Sequence, residues 1–318
     1  MKVTDLIKSQ KEPFYSLEIT PPLKIKSIEQ IFHVIDRIKR YNPRFINITY
    51  HQQAVSMEEI DGIPTKVIYQ KHASTVGVCS AIKYKYNIEV VPHLICGGFN
   101  RMDTEDALFD LMFLGIENVL ALRGDPRKGQ EHFIPEQFGH ANAGELVSQI
   151  KAMKESHYLH ALCPDEPIDF CTGVAGYPEK HHTAISLEED VAWLKEKVDA
   201  GADYIVTQMF FDFDRFVKWE KMCRKAGITI PIIPGLKPIT KKKQVRRFAQ
   251  NFHLNMPDDL IIAMDKAENS LEAHDAGINF MANLCKKLLD YGSPGIHFFT
   301  MGNGEDVADV MEKLEKIR

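Results

Sequence analysis

Eight short apolar stretches, each followed by a segment with helical periodicity, are the feature that most constrains this 318-residue chain. The stretches are rich in β-branched or aromatic residues and are apolar almost throughout, which is typical of parallel strands covered on both faces. Strands and helices that alternate in this way predict an α/β fold, a (β/α)8 TIM barrel. The predicted strands are Phe14–Ile19, Phe45–Tyr50, Glu89–Cys96, Asn118–Gly124, Asp169–Tyr177, Tyr204–Phe210, Ile232–Leu236 and Gly295–Met301.

The whole chain, residues 1–318, is predicted to form a single catalytic domain with helical elaborations. Its length would also allow two domains, but parallel barrels routinely place about 250 residues or more in one. Apolar residues make up 44% of the sequence and charged residues 26%, which is ordinary for a globular protein with a sizeable core. The longest stretch without a predicted strand, Pro257–Asp290, is predicted to form two helices broken around Ser270–Glu272.

Composition argues against several classes of function. The net charge of −5 and the pI near 6.2 do not indicate nucleic acid binding, because such proteins usually carry a basic face. No apolar stretch approaches the roughly 18 residues of a membrane span, and the N-terminus lacks the apolar core of a signal peptide. The six cysteines are widely spaced without a Cys-x-x-Cys pair, which favours reduced thiols. We therefore expect a cytoplasmic protein that binds neither nucleic acid nor a membrane.

Two groups of polar residues each permit a structural and a functional interpretation. The basic run Lys241, Lys242, Lys243, Arg246 and Arg247 is typical of a solvated helix face, or it attracts an anionic substrate to the barrel rim. The second group has zinc-ligand residue types, but its spacing matches no standard zinc module. We expect no metal there, only a helix end and an ordinary loop, at His157, His160, Cys163 and Cys171.

Several helix ends are marked in the sequence. One helix is expected to start at Asp103 and to end near Gly115, and another to begin at Asn142. Ser186 and Glu189 form the S-x-x-E pattern of a capping box, which predicts a helix start there.

Polar side chains stand at or just beyond the ends of the predicted strands. In a parallel barrel these ends share one face, where characterised members of the fold place their active sites. The side chains are therefore expected to converge in space, whereas few polar residues are expected within the strands. They are Glu18, Thr49, Tyr50, His93, Arg123, Asp125, Tyr177, Gln208 and Lys237.

Glu18 is the candidate catalytic acid among these residues. Its apolar neighbours Leu17 and Ile19 predict a partly desolvated carboxyl group, and desolvation raises the pKa of a carboxyl into the range of a useful general acid. The structural alternative is a carboxylate paired with a lysine or arginine of the barrel.

The fourth strand runs into Arg123, Gly124 and Asp125, which offer planar donors, a close backbone approach and an acceptor. These groups suit a ring with both carbonyl and N–H edges, and they equally suit a structural Arg–Asp pair at a turn. No G-x-G-x-x-G follows a strand and no Walker A motif is present. Any nicotinamide or flavin must therefore be held in another way.

Eight segments of the chain resemble the methylenetetrahydrofolate reductase family, whose flavin enzymes make methyltetrahydrofolate. They occur in the family's order and cover essentially the whole chain from Phe14, so their combination is specific although each segment alone is weak. They read S-L-E-I-T-P-P, I-N-I-T-Y, V-P-H-L-I-C, L-A-L-R-G-D-P, A-G-Y-P-E-K-H, K-V-D-A-G-A-D-Y-I-V-T-Q-M-F-F-D, P-I-I-P-G-L-K-P and H-F-F-T-M.

The resemblance implies a cofactor, two substrates and a set of site residues. It implies that FAD takes hydride from NADH or NADPH and passes it to 5,10-methylenetetrahydrofolate in a ping-pong cycle, giving 5-methyltetrahydrofolate for methionine synthesis. It implies that Glu18 assists protonation of the folate and that Asp125 lies close to both flavin and folate, while Gln208, Phe248 and Phe299 match substrate-binding positions. The FAD-binding positions match Thr49, Tyr50, His93, Arg123, Gly124, Asp125, Ala175, Tyr177, His181, Asp190 and Lys197.

Three details refine this expectation. Asp190 and Lys197 are seven residues apart on a predicted helix, and this spacing independently puts them on one face, as an extended ligand would need. Phe299 stands where many relatives have tyrosine, and the loop 129–142 lacks a tyrosine found in relatives, which bears on substrate and FAD contacts rather than on the reaction. The family also implies a homo-oligomer.

Other classes of function remain compatible with a barrel of this kind. A Schiff-base lyase needs an interior lysine, for which Lys237 is the candidate. A folate-dependent methyltransferase would bind the pterin without flavin, and a folate-binding module would bind its ligand without turnover. The absorption spectrum of the purified protein separates these classes from the reductase, which alone carries a flavin.

Overall fold

The computed structural model describes residues 1–160, 167–302 and 304–317, and it confirms the predicted (β/α)8 TIM barrel. Every strand pairing in its main sheet is parallel. The described strands are β1 (Phe14–Ile19), β2 (Phe45–Ile48), β3 (Ala54–Ile60), β4 (Ile63–Tyr69), β5 (Glu89–Ile95), β6 (Asn118–Leu122), β7 (Cys171–Gly176), β8 (Tyr204–Thr207), β9 (Ile232–Ile233), β10 (Gly235–Leu236) and β11 (Gly295–Phe299). The sheet order is β10-β11-β1-β2-β5-β6-β7-β8-β9.

The seventh predicted strand is divided into β9 and β10. Pro234 stands between the two pieces and has no backbone N–H to give to a neighbouring strand. Because β9 pairs with β8 and β10 pairs with β11, this short segment brings the two ends of the sheet together and closes the barrel. Most other predicted strands extend too far at their C-terminal ends, where Tyr50, Cys96, Gly124, Tyr177, Phe210 and Met301 already lie outside the sheet.

The helices cover the outside of the barrel, as their apolar stripes predict. In α2, for example, Ile31, Phe32, Ile35 and Ile38 are buried. The described helices are α1 (Val3–Ser9), α2 (Glu29–Ile38), α3 (Thr75–Tyr86), α4 (Arg101–Phe113), α5 (Ala143–Lys154), α6 (Leu187–Asp199), α7 (Phe213–Lys225), α8 (Lys242–Phe252), α9 (Asp258–Lys266), α10 (Ser270–Asp290) and α11 (Glu305–Ile317), with a 3-10 turn at Lys39–Tyr41.

The predicted helix ends are correct in part. The side chains of Asn142 and Ser186 cap α5 and α6, as expected. Glu189 does not complete a capping box, because its carboxylate accepts from the N–H of Ile185 at 2.6 Å. Two other predictions are wrong because asparagines provide better caps: α4 begins at Arg101 behind Asn100, and the break between α9 and α10 lies at residues 267–269, ahead of α10.

Helix α1 closes the N-terminal end of the barrel, a feature that the sequence reading did not predict. Val3 and Leu6 are buried in the same apolar cluster as Phe14 and Phe45 of the barrel interior. Asn118, at the start of β6, accepts from the N–H of Val3 at 2.8 Å and donates to the carbonyl of Met1 at 3.0 Å. The opposite, C-terminal end of the barrel is the end that is open to ligands.

A second unpredicted feature is the antiparallel hairpin β3–β4, which is inserted after β2 at the open end of the barrel. Its base is held by the bridge between Leu23 and His72 and by the hydrogen bond from the N–H of Ala73 to the carbonyl of Pro22 at 2.8 Å. Apolar side chains such as Val55 and Ile68 are exposed on it. The hairpin therefore extends one side of the open end.

Membrane and metal features are also defined for the described part of the chain. None of its helices is both long and apolar enough to cross a membrane. Cys79, Cys96, Cys171, Cys223 and Cys285 are buried free thiols, whereas Cys163 lies outside the described residues. No three potential metal ligands come together among residues 1–160, 167–302 and 304–317. The His160 ring lies 3.0 Å from the carboxylate of Asp106.

Candidate functional site

A cavity of about 680 Å³ opens at the C-terminal end of the barrel, where the sequence predicts that polar side chains converge. Its volume is in the range of sites for cofactors and sizeable small molecules. Most of the predicted site residues line it: Glu18, Thr49, Tyr50, His93, Arg123, Gly124, Asp125, Ala175, Tyr177, His181, Gln208 and Phe299.

Glu18 lies near the end of β1, with Asn47 and Phe299 as its neighbours on the adjacent strands. Its side chain is only 20% exposed, and burial raises the pKa of its carboxyl to about 8. The structural alternative, pairing with a lysine or arginine, is not found, because the only ion-pair partner within 4.0 Å among the described residues is His93, at 3.5 Å. Glu18 therefore holds its proton at neutral pH, as a general acid must.

The contact between Glu18 and His93 joins two neutral groups. Burial, followed by the proximity of His51, lowers the pKa of His93 to about 3, so the imidazole carries no charge at neutral pH. A neutral ring gives no electrostatic support to a carboxylate, and this is consistent with the raised pKa of Glu18.

The turn after β6 presents Arg123, Gly124 and Asp125 to the cavity. Gly124 has a φ of +83°, a left-handed conformation that favours glycine. Among the described residues Arg123 and Asp125 form no ion pair; the Arg123 guanidinium lies 5.6 Å from the centre of the Phe133 ring instead. The amide of Gln52 donates to the backbone carbonyl of Asp125 at 2.8 Å and helps to fix the turn.

Tyr177, His181 and Gln208 form another part of the wall. Burial raises the pKa of Tyr177 to about 12 and, with a smaller effect of His182, lowers that of His181 to about 4. The Nδ1 atom of His181 accepts from the backbone N–H of Thr183 at 3.2 Å and lies 2.7 Å from the hydroxyl of the same residue. These neutral groups suit hydrogen bonding to a ligand rather than ion pairing.

A model of the methylenetetrahydrofolate reductase family matches residues 2–315, almost the entire chain. The chain belongs to this family.

Individual relatives agree with the family match. The chain is 34% identical to methylenetetrahydrofolate reductase (NADH) 1 of Arabidopsis thaliana, over 99% of this chain and 51% of that protein. It is 30% identical to the 5,10-methylenetetrahydrofolate reductase of Salmonella typhimurium, over 91% of this chain and 86% of that protein. The chain thus spans about half the length of the plant relatives but most of the bacterial one.

Solved structures support the fold alone. A Clostridium thermocellum protein described as binding two copies of 5-methyl-5,6,7,8-tetrahydrofolic acid superposes with a TM-score of 0.56 at 14% identity, covering 99% of this chain and 100% of its own. An oxaloacetate acetylhydrolase superposes with a TM-score of 0.51 at 10% identity, covering 100% of this chain and 85% of its own.

Three predicted site residues of this methylenetetrahydrofolate reductase family member do not line the cavity. Asp190 and Lys197 lie behind its wall on α6, where Lys197 Nζ donates to the carbonyl of Ala175 at 2.6 Å. Burial lowers the pKa of Lys197 to about 8 and raises that of Asp190 to about 6, each against the attraction of the other group. Phe248 is buried in α8, and its neighbour Phe252 lines the cavity instead.

Several cavity residues of this family member were missed by the sequence reading. His51 and Gln52 follow β2 and line the cavity, whereas the predicted strand ends at Tyr50. Contrary to the expectation of few polar residues within the strands, Ser16, Asn47 and His297 are fully buried in the sheet. A polar residue inside an otherwise apolar strand was the available signal.

Lys237 does not line the cavity, which bears on the alternative of a Schiff-base lyase. Its side chain is 3% exposed, and its Nζ donates to the carbonyl of Thr300 at 3.2 Å. A lysine held in this way by the backbone is not positioned to attack a carbonyl in the cavity.

Proposed function

We propose that this chain is a flavoprotein oxidoreductase that reduces 5,10-methylenetetrahydrofolate to 5-methyltetrahydrofolate with FAD and NADH or NADPH. The observation that carries the proposal is Glu18, a carboxyl that keeps its proton at neutral pH beside a cavity of suitable size. The names of the relatives, which include NADH and NADPH enzymes, support both the folate and the nicotinamide. The product would supply methyl groups for methionine synthesis.

The cavity residues are compatible with FAD. Gly124 and Ala175 are small residues in its lining and allow a flat ring system to approach the backbone closely. Asp190 Oδ2 is buried next to Lys197 behind the wall and has no hydrogen-bond partner among the described residues. We assign FAD contact to Gly124 and Ala175 together with Thr49, Tyr50, His93, Arg123, Asp125, Tyr177 and His181. We assign Asp190 and Lys197 to the same cofactor site as residues that support its wall from behind Ala175.

FAD, when bound, supplies the hydride relay between the nicotinamide and the folate in the two halves of a ping-pong cycle. Glu18 delivers its proton to the methylene-bridged folate, which opens the bridge to an iminium that can accept hydride. Asp125 and Gln208 offer acceptor and amide groups that orient the pterin, and the Phe299 ring provides an apolar wall. Holding each substrate in turn against the same wall makes each transfer effectively unimolecular.

The proposal extends to the organisation of the protein. We propose that residues 1–318 act as one catalytic domain, that the chain assembles as a homo-oligomer and that it works in the cytoplasm without nucleic acid or membrane partners. The net charge of −5 supports the absence of a nucleic acid partner.

An absorption spectrum and two anaerobic half-reactions test the function. Purified protein is expected to be yellow, to lose its flavin absorbance on addition of NADH or NADPH, and to regain it on addition of 5,10-methylenetetrahydrofolate. Folate binding by a colourless protein would point to a methyltransferase or a binding module. Trapping of a carbonyl substrate by borohydride would point to a lyase.

Replacing Lys197 with methionine should weaken FAD binding roughly 10- to 100-fold, because a buried charged donor beside Ala175 and Asp190 is lost. The measurement is FAD retained after dialysis and fluorescence titration of the apoprotein. Lys195→Met is the matched control, since Lys195 lies on the same helix but pairs with Asp199 at 2.5 Å on the surface. Equal FAD affinity of the two variants would remove Lys197 from the binding site.

A further inference from the structure

Asn47 lies inside the barrel directly beside the candidate acid. In the strand register it is the β2 partner of Glu18 on β1. Its Nδ2 atom is 3.4 Å from the Nε2 atom of His93, and the same Nε2 is 3.5 Å from Oε2 of Glu18. Three neighbouring strands thus contribute one continuous polar chain from Asn47 through His93 to Glu18.

Fold stability does not explain an amide at this position. The other residues of β2 are Phe45, Ile46 and Ile48, and asparagine is disfavoured in strand interiors. Asn47 is fully buried, and its Oδ1 atom has no hydrogen-bond partner among the described residues. A buried amide oxygen without a partner is unfavourable, because nothing compensates its loss of hydration. Among the described residues, the contact with the His93 ring is the only hydrogen-bonding contact found for this amide group.

We propose that Asn47 is a positioning residue that fixes the imidazole of His93, and that this ring in turn holds the Glu18 carboxyl inside the barrel, away from water. This inference rests on the proposed function, because it assigns Asn47 to the proton delivery that folate reduction needs. It concerns the folate half-reaction alone, since hydride transfer from the nicotinamide requires no proton from Glu18.

The groups around Asn47, His93 and Glu18 determine what replacing Asn47 does to the Glu18 carboxyl. The titratable groups closest to His93 are Glu18, His51 after β2 and His297 on β11; burial lowers the pKa of His51 to about 4 and that of His297 to about 3. None of these groups offers a positive charge to Glu18 at neutral pH. If the His93 ring is free to turn, the Glu18 carboxyl gains access to the hydrated cavity, and its pKa falls from about 8 towards the ordinary value.

The test compares Asn47→Leu with the wild-type holoenzyme in the two separate half-reactions. We expect reoxidation of the reduced flavin by 5,10-methylenetetrahydrofolate to slow at least 10-fold near pH 7.5, and the alkaline limb of its pH profile to move at least about 1.6 pH units lower. Flavin reduction by the nicotinamide should stay within about 2-fold of wild type. The infrared C=O band of the protonated carboxyl, assigned by its loss in Glu18→Gln, should weaken in the same variant.

Ser16→Ala is the matched control. Ser16 is fully buried on β1 and contacts His297 at 2.9 Å, so this variant removes a comparable interior hydrogen bond in which His93 is not a partner. In Ser16→Ala, the alkaline limb of the folate step should lie at the same pH as in the wild type. If Asn47→Leu does not yield folded flavoprotein, Asn47→Ser carries the test, because its short hydroxyl cannot reach His93.

Two outcomes would overturn the inference. One is an Asn47 variant whose alkaline limb and carboxyl band equal those of Ser16→Ala. The other is an equal loss in both half-reactions, which would indicate a structural role only. Failure of the proposed function has a different signature, since the wild-type protein itself would then not reoxidise with the folate.

Discussion

Replacing Glu18 with glutamine should slow folate reduction about 100- to 10,000-fold while flavin reduction by NADH or NADPH is retained. Glutamine keeps the size and polarity of the side chain but has no acidic proton to deliver. The measurement is anaerobic stopped-flow absorbance of the flavin, with the nicotinamide step and the folate step followed separately. Equal loss in both steps would remove Glu18 from the role of acid.

Glu179→Gln is the control for this variant. Glu179 is also a carboxyl whose pKa is raised by burial, but it does not line the cavity, and it accepts from the backbone N–H of Asn255. Its replacement should leave the ratio of the two half-reaction rates unchanged. If the loss of any buried carboxyl slowed the folate step, Glu18→Gln and Glu179→Gln would both show a lower ratio of the folate rate to the nicotinamide rate.

The pH dependence follows from the same group. Because burial raises the pKa of Glu18 to about 8, the folate step of the wild-type enzyme should slow as the pH rises through about 8, and Glu18→Gln should lack this limb.

The free energy of unfolding should also fall as the pH rises, because of the same carboxyl. The folded pKa lies above the unfolded one, so the contribution of Glu18 is fully present below about pH 4.5 and is lost as the pH rises through about 8. Glu18→Gln should therefore gain stability relative to wild type over this interval.

The barrel could be predicted because its strands are apolar on both faces. Runs such as Phe45–Ile48 and Asn118–Leu122 contain one polar residue each and no polar stripe, which is typical of parallel strands between helices and a packed interior. Strand ends were less predictable, since an apolar run continues past the point where the strand leaves the sheet, as at Met209 and Phe210 after β8. Phe210, for example, is buried against the Phe216 ring of α7, at 4.8 Å between ring centres, rather than by strand pairing.

The hairpin β3–β4 shows where the pattern failed. Its sixteen residues, 54–69, mix polar and apolar side chains without the long apolar run of a barrel strand. The available signal was Asp61-Gly62 at its tip: both residues have positive φ, +52° and +78°, as a type I′ hairpin turn requires. Helix α1, which closes the N-terminal end of the barrel, had no such signal. Its seven residues are too few for an apolar pattern to indicate what the helix packs against.

The site residues that could be predicted are those that belong to a motif or stand at a strand end. Glu18, Asp125 and Gln208 follow or end barrel strands, and the closed sheet brings them to one cavity. Asn47 and Gln52 are single polar residues without a motif, so their roles depend on distances that only the folded chain provides. A contact such as Gln52 to the Asp125 carbonyl joins residues 73 positions apart and leaves no local trace.

Replacing Gly277 with alanine should lower the free energy of unfolding by about 2 to 4 kcal/mol, although alanine normally stabilises a helix by about 1 kcal/mol relative to glycine. Gly277 is buried in α10, and a Cβ atom there would lie 1.6 Å from the carbonyl oxygen of Ile239. The opposing atom belongs to the backbone, so no side-chain rotation relieves the clash. Helix α10 must move away from the segment that follows β10, which opens its packing against Met264 as well.

Gly77→Ala is the control that shows the effect of helix propensity alone, so that its comparison with Gly277→Ala gives the steric effect. Gly77 lies in the first turn of α3, where a Cβ atom would meet only the Cβ of Ser74 at an ordinary 3.7 Å. This variant should be neutral or up to about 1 kcal/mol more stable, because only the propensity gain applies. Urea unfolding followed by circular dichroism compares the two midpoints at equal slope. Similar midpoints for Gly277→Ala and Gly77→Ala would mean that α10 does not approach Ile239 as closely as described, and the packing of the helices behind the seventh strand would have to be redrawn.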